Sequence, residues 1–456
     1  MAKTRSIFIC QNCGAEASKW IGRCPACDQW NTYVEEIVQK SLNSGNSIAA
    51  PMSSSKPHPI GEISSNTKKR IDTKIGELNR ILGGGLVPGS VVLLGGEPGI
   101  GKSTIALQVA LASDHLKVLY VSGEESEQQI RLRADRLQVQ NPQCLVYSET
   151  VLENILYAIE EQKPDLLVID SIQTLYSSNL ESSPGTVAQI KECTASLLRV
   201  AKKRDMPAIL IGHINKEGNI AGPKVLEHIV DTVIQFEGDM NNLYRLLRVA
   251  KNRFGATSEL AIFEMVDKGL REVTNPSQVL INQSHEQFSG IAIAATIDGL
   301  RPFLIEIQAL VSSAVYGTPQ RSCTGFDYRR LNMLLAVLEK KVGFHLAMKD
   351  VFLNIAGGLK INDPAIDMAV MTAILSSFRD ECISNKYCFA AEVGLTGEIR
   401  PVNRIAQRIR ETEKLGFEKM FVSAYDKKNC AQASKNIQIV YVSRIEELHC
   451  ILFGSR

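Results

Sequence analysis

Residues 82–104 have the sequence LGGGLVPGSVVLLGGEPGIGKST, and this stretch decides the fold of the chain. The apolar run at 90–96 predicts a buried strand, and KSTIALQVALAS at 102–113 predicts a helix. Between them, residues 96–103 satisfy the phosphate-binding loop pattern in the strand–loop–helix context that this motif requires. The glycines let backbone N–H groups turn toward phosphates, and the helix N-terminus adds its dipole. The stretch therefore predicts an α/β nucleotide-binding domain.

The expected ligands of this site are ATP and Mg²⁺. Lys102 is expected to contact the β- and γ-phosphates, and Ser103 to coordinate Mg²⁺. Asp170 ends the apolar run LLVID, where a carboxylate is placed to hold Mg²⁺ through water. The full set of predicted binding residues is Gly96, Glu97, Pro98, Gly99, Ile100, Gly101, Lys102, Ser103, Thr104 and Asp170.

Two adjacent carboxylates follow the next predicted strand, LYVSG. A carboxylate that leaves a neighbouring strand can orient and deprotonate the attacking water. We favour Glu124 over Glu125 as this catalytic group, although a charge that stabilises a helix N-terminus gives the same pattern.

Residues 60–273 alternate apolar strands with amphipathic helices. Further strands are predicted at KVLYVSGEE, DLLVID, AILIGHI and TVIQFEG, which start at 117, 165, 208 and 232. Apolar runs between helices are typical of a mostly parallel sheet that is buried on both faces. The predicted fold class is thus α/β, with one P-loop ATPase core.

Residues 1–38 contain two C-x-x-C pairs, and residues 39–59 are a predicted flexible linker. Four thiolates complete a tetrahedral shell around Zn²⁺, and metal would supply the folding energy of so short a segment. Two disulfides or a redox dithiol are the alternatives. Trp20 and Trp30 either pack over the metal core or are free for stacking. The predicted zinc ligands are Cys10, Cys13, Cys24 and Cys27.

Bulk composition gives little direct information about partners. The 456-residue chain has a formal net charge of +2, so any DNA-binding surface must be local. Its first residues lack the apolar core of a signal peptide, and no apolar run approaches the length of a membrane span. We therefore expect a cytoplasmic protein without membrane contact.

The glycine-rich stretch and the following GEES resemble RecA, the replicative DnaB-type helicases and the clock ATPase KaiC. KNRFG at 251–255, the segment 212–233, the cysteine quartet and the domain order resemble the RadA (Sms) family of bacterial DNA repair proteins over essentially the whole chain. By this resemblance Lys251 and Arg253 look like a finger that acts on the ATP of a neighbouring subunit. The alternative is a solvated basic turn.

RecA-like motors hold DNA with loops after the third and fourth strands. Here these loops are 176–186 and 215–224, and the second carries Lys216 and Lys224. The residues alone favour plain surface loops, whereas the resemblance favours DNA contact. His213 ends the fourth strand and either senses the nucleotide or belongs to the core.

Residues 288–456, after a second predicted linker at 274–287, predict an α+β fold that opens with a strand pair at 290–312. They resemble the proteolytic domain of Lon. In Lon a serine attacks and a lysine activates it, so both are needed. Here the two positions fall on Ala365 and near Ala406, so the domain is expected to lack peptidase activity. A helix is predicted at 328–341, with Arg330 and Lys341 close to one face. Basic residues around this helix either face DNA or are solvated: Arg329, Arg330 and Lys341.

The resemblance implies an ATP-dependent DNA motor with helicase or branch-migration activity. It would bind single-stranded and branched DNA, form a homo-oligomer, expected as a hexameric ring, and process recombination intermediates with the RecA recombinase during DNA repair. A protease and a clock-like ATPase indifferent to DNA are the rival functions.

Overall fold

The structure of the chain is a computed structural model. Its contacts divide the chain into two compact units, one built mainly from residues up to 237 and the other mainly from residues 273–456. In the part of the chain that is described, no helix is long and apolar enough to cross a membrane. The described residues are 4–10, 15–26, 28–39, 59, 69–213, 225–238, 244–257, 259–281, 288–299, 301–314, 319–430 and 436–454.

The N-terminal ribbon, residues 4–39, is a small antiparallel sheet with the order β2-β1-β3. Cys10 ends the first strand and Cys24 lies in the turn region that follows the second. Both cysteines are fully buried and share one small cluster with Tyr33. The strands are β1 (Thr4–Cys10), β2 (Glu16–Ala17) and β3 (Tyr33–Gln39).

The ATPase region contains six consecutive strands that run parallel in the order β6-β5-β7-β8-β4-β9. All five predicted strands are present, and β6 is added beside β5. The elements are α1 (Gly76–Ile81), β4 (Val91–Gly96), α2 (Lys102–Ala112), β5 (Val118–Ser122), α3 (Glu127–Leu137), β6 (Cys144–Ser148), α4 (Leu152–Gln162), β7 (Leu166–Asp170), α5 (Val187–Arg204), β8 (Ala208–His213), α6 (Val225–Ile229), β9 (Thr232–Gly238), β10 (Tyr244–Asn252), β11 (Leu260–Val266) and β12 (Gly269–Glu272).

Burial explains why these segments form central strands. Every residue of β4, β5 and β7 is buried, which matches the continuous apolar runs in the sequence. Parallel strands place their C-terminal ends at one edge of the sheet, and α2 begins directly after the loop that follows β4. The phosphate-binding loop, Asp170 and His213 therefore lie at the same edge.

The C-terminal unit has a seven-stranded mixed sheet with the order β15-β16-β14-β13-β17-β20-β21. The predicted strand pair at its start is confirmed as the antiparallel β13–β14 hairpin. The elements are α7 (Pro276–Leu280), β13 (Ile291–Asp298), β14 (Arg301–Ser313), β15 (Arg321–Thr324), α8 (Tyr328–Val337), β16 (Lys349–Ile355), α9 (Asp367–Arg379), β17 (Tyr387–Ala390), β18 (Glu392–Val393), β19 (Ile399–Arg400), α10 (Ile405–Lys414), β20 (Lys419–Ser423), α11 (Lys427–Cys430), β21 (Gln438–Val442) and α12 (Ile445–Phe453).

Two predicted features of this unit need correction. Part of the segment predicted as a linker at 274–287 forms helix α7, in which Pro276 and Leu280 are buried. The α-helical period predicted through Lys341 ends earlier, since Leu338–Val342 form a π-helical turn. Arg330 and Lys341 were expected on one α-helical face, and the change of period removes that alignment.

Candidate active site

The phosphate-binding loop connects β4 to α2. Gly99 and Gly101 have φ values of +76° and +115°, a region that side chains with a Cβ rarely adopt. Lys102 is only 3% exposed, and its Nζ donates to the carbonyl oxygens of Gly96 at 2.9 Å and Glu97 at 2.8 Å. The lysine is thus folded over the loop with its charge held on backbone oxygens, where incoming phosphates would compete for it.

Asp170 lies at the C-terminal end of β7 and is 5% exposed. The hydroxyl of Tyr120, a fully buried residue of β5, donates to Asp170 Oδ2 at 2.7 Å. Burial, followed by the Asp170 charge, raises the pKa of Tyr120 well above its usual value, so the hydroxyl remains a donor. The sequence analysis missed Tyr120, because in the sequence it is one more residue of an apolar strand.

The structure separates the two adjacent carboxylates. Glu124 Oε1 accepts a hydrogen bond from Ser171 Oγ at 2.6 Å and lies 3.2 Å from His213 Nε2. Glu125 instead forms an ion pair with Arg133 of α3. Partial burial raises the pKa of Glu124, but the contacts with Ser171 and His213 outweigh it and leave the pKa lowered. Of the two adjacent glutamates, Glu124 is therefore the one whose ionised carboxylate lies among the polar groups at the ends of β7 and β8.

Burial also lowers the pKa of Lys102 to about 8, although the nearby charges of Asp170 and Glu124 act against the shift. The three predicted groups are thus close enough to influence one another electrostatically. A partly neutral lysine is a consequence of placing an ammonium in a closed loop before its anionic ligand arrives.

This shift leads to a prediction about ATP binding. Phosphate charges would raise the lysine pKa again, so binding above about pH 8 should take up a proton and weaken as the pH rises. Calorimetry in buffers of different ionisation enthalpy, just above and well below that pH, measures the uptake. Lys102→Arg, whose guanidinium stays charged, should bind ATP without proton uptake. Equal proton uptake in both proteins would contradict the assignment of the lowered pKa to Lys102.

The segment KNRFG forms a turn after β10. Lys251 Nζ donates to the carbonyl oxygens of Glu227 at 2.6 Å and Val230 at 2.8 Å, near the end of α6. Arg253 has a half-exposed side chain, with Nη1 3.6 Å from the buried carboxylate of Asp231. Within one chain, Lys251 is therefore engaged with the backbone, whereas Arg253 retains an accessible guanidinium.

Arg70 holds this turn in place. Its Nη2 donates to the carbonyl oxygen of Phe254 at 2.7 Å, and its Nη1 donates to that of Leu82 at 2.8 Å. One guanidinium thereby joins the glycine-rich turn before β4 to the turn that carries Arg253. The sequence analysis missed Arg70, because nothing local indicates a partner 184 residues away.

The candidate DNA-binding residues have mixed outcomes. The loop at 176–186 is described, and Gln189 Nε2 fixes it through the carbonyl oxygens of Leu180 and Ser182. Arg330 is not available as predicted, because its guanidinium pairs with the fully buried Asp367 and donates to Val393 O. Arg329 and Lys341 are exposed. Lys216 and Lys224 lie outside the described residues.

The two positions that were predicted to correspond to the Lon dyad are alanines. Ala365 is fully buried and Ala406 partly buried. The segments that carry them are joined instead by an ion pair, in which Arg408 Nη1 lies 2.6 Å from Asp363 Oδ2. Arg408 is 3% exposed, so this contact is internal to the fold.

The buried thiols of the ribbon fit a metal. Cys10 Sγ lies 3.1 Å from Thr32 Oγ1, and Cys24 Sγ lies 3.5 Å from the Tyr33 hydroxyl. Cys13 and Cys27 lie outside the described residues, so only half of the predicted ligand set can be located. Two soft donors, buried together in a cluster with one aromatic ring, have the chemistry that Zn²⁺ prefers.

Three family models match parts of the chain. One described as an AAA domain matches residues 57–219, and one described as a rubredoxin metal binding domain matches residues 8–35. A third, described as subunit ChlI of Mg-chelatase, matches residues 309–426. The matches follow the order of ribbon, nucleotide-binding region and C-terminal unit.

Curated relatives match over nearly the full length. The chain is 49% identical to the DNA repair protein RadA of Bacillus subtilis over 98% of both chains. It is 50% identical to the DNA repair protein RadA of Listeria monocytogenes, again over 98% of both. A crystal structure titled as the RadB recombinase is 23% identical, covers 44% of this chain and 99% of that chain, and has a TM-score of 0.37.

Proposed function

Because the chain belongs to the RadA family of DNA repair proteins, we propose that it is an ATP-driven motor that translocates on single-stranded DNA. The family and the ATPase domain make it a DNA repair ATPase with a RecA-like core. The proposal also includes strand unwinding, branch migration and the processing of recombination intermediates with the RecA recombinase.

One observation carries the motor proposal. Glu124 contacts two groups from different strands, Ser171 directly after β7 and His213 at the end of β8. These strands lead into the two segments, 176–186 and 215–224, in which DNA contact was predicted. A change at Glu124 during hydrolysis would therefore reach both chain segments, which is the coupling that a DNA motor requires.

The proposed chemistry uses the chain's own residues in separate roles. Lys102 neutralises phosphate charge, and the loop amides between β4 and α2 hold the phosphates. Glu124 stays ionised because its pKa is lowered, so it accepts a hydrogen bond from water and orients that water for attack. Ser103 and Asp170 would hold Mg²⁺, which offsets the charge of the phosphates when it is bound.

The trans-acting finger is the second part of the proposal. Charge that develops on the γ-phosphate needs a cation that this chain's own loop does not supply beyond Lys102. The half-exposed Arg253 fits that role toward a neighbouring subunit, and Arg70 would fix the turn that presents it. This arrangement requires a homo-oligomer, for which we propose a hexameric ring.

The domain boundaries and the remaining DNA contacts belong to the same proposal. Residues 1–38, 60–273 and 288–456 would act as a metal-binding ribbon, a motor and an assembly domain. Arg329 and Lys341 are exposed in the last of these and fit contact with DNA phosphates. We propose that this domain has no peptidase activity, because alanines replace both required groups.

Strand displacement from a short forked DNA, with ATP and Mg²⁺, tests the motor directly. Wild type should release the strand, and Lys102→Ala should not. If wild type releases no strand and single-stranded DNA leaves its ATPase rate unchanged, the protein is better described as an ATPase of the clock-like kind. Casein cleavage that disappears with Lys102→Ala would instead revive the protease alternative.

The neighbouring glutamates allow a closely matched test of the catalytic group. Glu124→Gln should lower the ATP hydrolysis rate about 10²- to 10⁴-fold, because the amide cannot take a proton from water. Glu125→Gln removes a carboxylate of the same type one residue away, whose partner is Arg133, and should change the rate far less. Equal losses in the two variants would contradict the assignment.

Zinc in the ribbon is proposed from the two buried thiols and the match to a metal-binding domain. Metal analysis of the purified chain should find one zinc, and Cys24→Ser should release it because a closed shell loses one of four ligands. Cys450→Ser removes an exposed cysteine near the C-terminus and serves as the control. Full zinc content in Cys24→Ser would refute the ligand set.

A further inference from the structure

The N-terminal ribbon exposes both tryptophans of the chain. The sequence contains two tryptophans in all, Trp20 and Trp30, and they are 55% and 67% exposed. In the described part of the ribbon the buried cluster is made by Cys10, Cys24 and Tyr33, and neither tryptophan belongs to it. Large aromatic side chains in so small a fold are therefore left open to solvent.

The two rings lie close to one backbone position, Gly22. A Cβ built on Gly22 would be 3.6 Å from the Trp20 ring and 3.9 Å from the Trp30 ring. Trp30 pairs across a β-bridge with Arg23, and the Arg23 guanidinium lies 5.8 Å from the centre of the Trp30 ring. The backbone of the turn, closed by Asn31 N to Gly22 O at 2.7 Å, holds this arrangement.

The surroundings of the rings are polar and partly cationic. Lys19 and Asn31, the chain neighbours of Trp20 and Trp30, are exposed. Arg23 is exposed as well, and its charge is only partly offset by Asp28 at 3.3 Å. A protein interface usually buries tryptophan at the centre of an apolar, charge-depleted core. Stacking platforms for single-stranded nucleic acid instead combine aromatic faces with nearby cations that follow the backbone phosphates.

We propose that the ribbon surface formed by Lys19, Trp20, Arg23 and Trp30 is a second binding site for single-stranded DNA, at which Trp20 and Trp30 stack on bases. This inference rests on the proposed function, since it presupposes that the chain engages single-stranded DNA. It adds a DNA contact outside the ATPase region. Because the tryptophans would stack on the flat faces of bases, which every base has, this contact would have little sequence preference.

The chain offers a direct probe, because all of its tryptophan fluorescence comes from this surface. Titration of the full-length protein with a labelled oligothymidylate should give binding by anisotropy, with matching saturable quenching of tryptophan emission. An oligonucleotide of the same length without bases keeps the phosphates and should quench little. Quenching of equal size by the abasic strand would overturn base stacking.

Variants separate this site from the motor. Trp20→Ala and Trp30→Ala should each weaken oligothymidylate binding about five- to a hundredfold, whereas Trp30→Phe should retain most of it. Zinc content confirms that the variants are folded, and Tyr157→Ala, which removes an aromatic side chain 71% exposed on α4, is the matched control. If Trp20→Ala and Trp30→Ala weaken oligothymidylate binding no more than Tyr157→Ala does, the site is rejected. The exposed tryptophans would then fit a protein partner instead.

The two proposals fail in different ways. Tight binding by anisotropy without any tryptophan response would refute the ribbon site and leave the motor intact. Absence of oligonucleotide binding by anisotropy would refute the DNA-binding part of the proposed function, and the ribbon site with it.

Discussion

Arg253→Ala is expected to lower ATP hydrolysis by about 10³- to 10⁵-fold while ATP binding is retained. The guanidinium is half exposed and is held in a turn that Arg70 fixes through Phe254 O, so its loss should leave the fold intact. A cation that stabilises developing phosphate charge acts mainly on the rate rather than on affinity. Steady-state hydrolysis and calorimetric ATP titration measure the two effects separately.

Mixing two inactive variants tests whether the finger acts between subunits. Arg253→Ala keeps its phosphate-binding loop, and Lys102→Ala keeps its finger. In a mixed oligomer, some intact loops would meet an intact finger from the neighbour, so hydrolysis should return in proportion to such pairs. If the mixture stays inactive although the subunits co-assemble, or if Arg253→Ala loses ATP binding, Arg253 does not act in trans.

Arg408→Ala is expected to destabilise the C-terminal unit by about 3–5 kcal/mol. Arg408 lies almost fully buried, and its Nη1 donates to Ala295 O at 2.7 Å and to Asp363 Oδ2 at 2.6 Å. Removal of the guanidinium would leave the Asp363 carboxylate without its cationic partner and Ala295 O without this donor. Urea denaturation of the full chain, followed by far-UV circular dichroism, measures the change.

An exposed pair in the same unit provides the control. Arg400 pairs with Glu398 at the surface, where its side chain is 53% exposed. Arg400→Ala should therefore cost less than about 1 kcal/mol, because solvent screens the pair. ATP can be added to shift the unfolding of the ATPase region and identify the transition of the C-terminal unit. Similar losses of stability for the two variants would show that the buried Arg408 contact contributes no more than a solvent-exposed ion pair.

The fold was predictable where one local pattern dominates. Continuous apolar runs gave β4, β5, β7, β8 and β9, because a strand buried on both faces needs no polar side chain. The antiparallel pair β13–β14 followed from two apolar runs around a short turn. The prediction failed at Leu338–Val342, where the apolar pattern continues while the helical period changes.

The basic residues show a different limit. Arg330 was predicted to face DNA, but a charged side chain has the same sequence signature whether it is solvated or paired. The structure places the fully buried Asp367 opposite it, and this pairing gives Arg330 an internal role. Arg70 illustrates the converse, since it had no sequence signal and yet joins two turns that are far apart along the chain.

By itself, the sequence determined the phosphate-binding loop, because every group of that loop is consecutive and its geometry is set by local backbone preferences. It also predicted that the C-terminal unit lacks a Ser–Lys dyad, because alanines occupy the two positions that the resemblance to Lon indicates. Tertiary structure alone gave Glu124 and Glu125 their different partners and brought Tyr120 to Asp170. Those contacts join residues of different strands and helices, and strand register and packing, rather than local preference, decide which side chains meet.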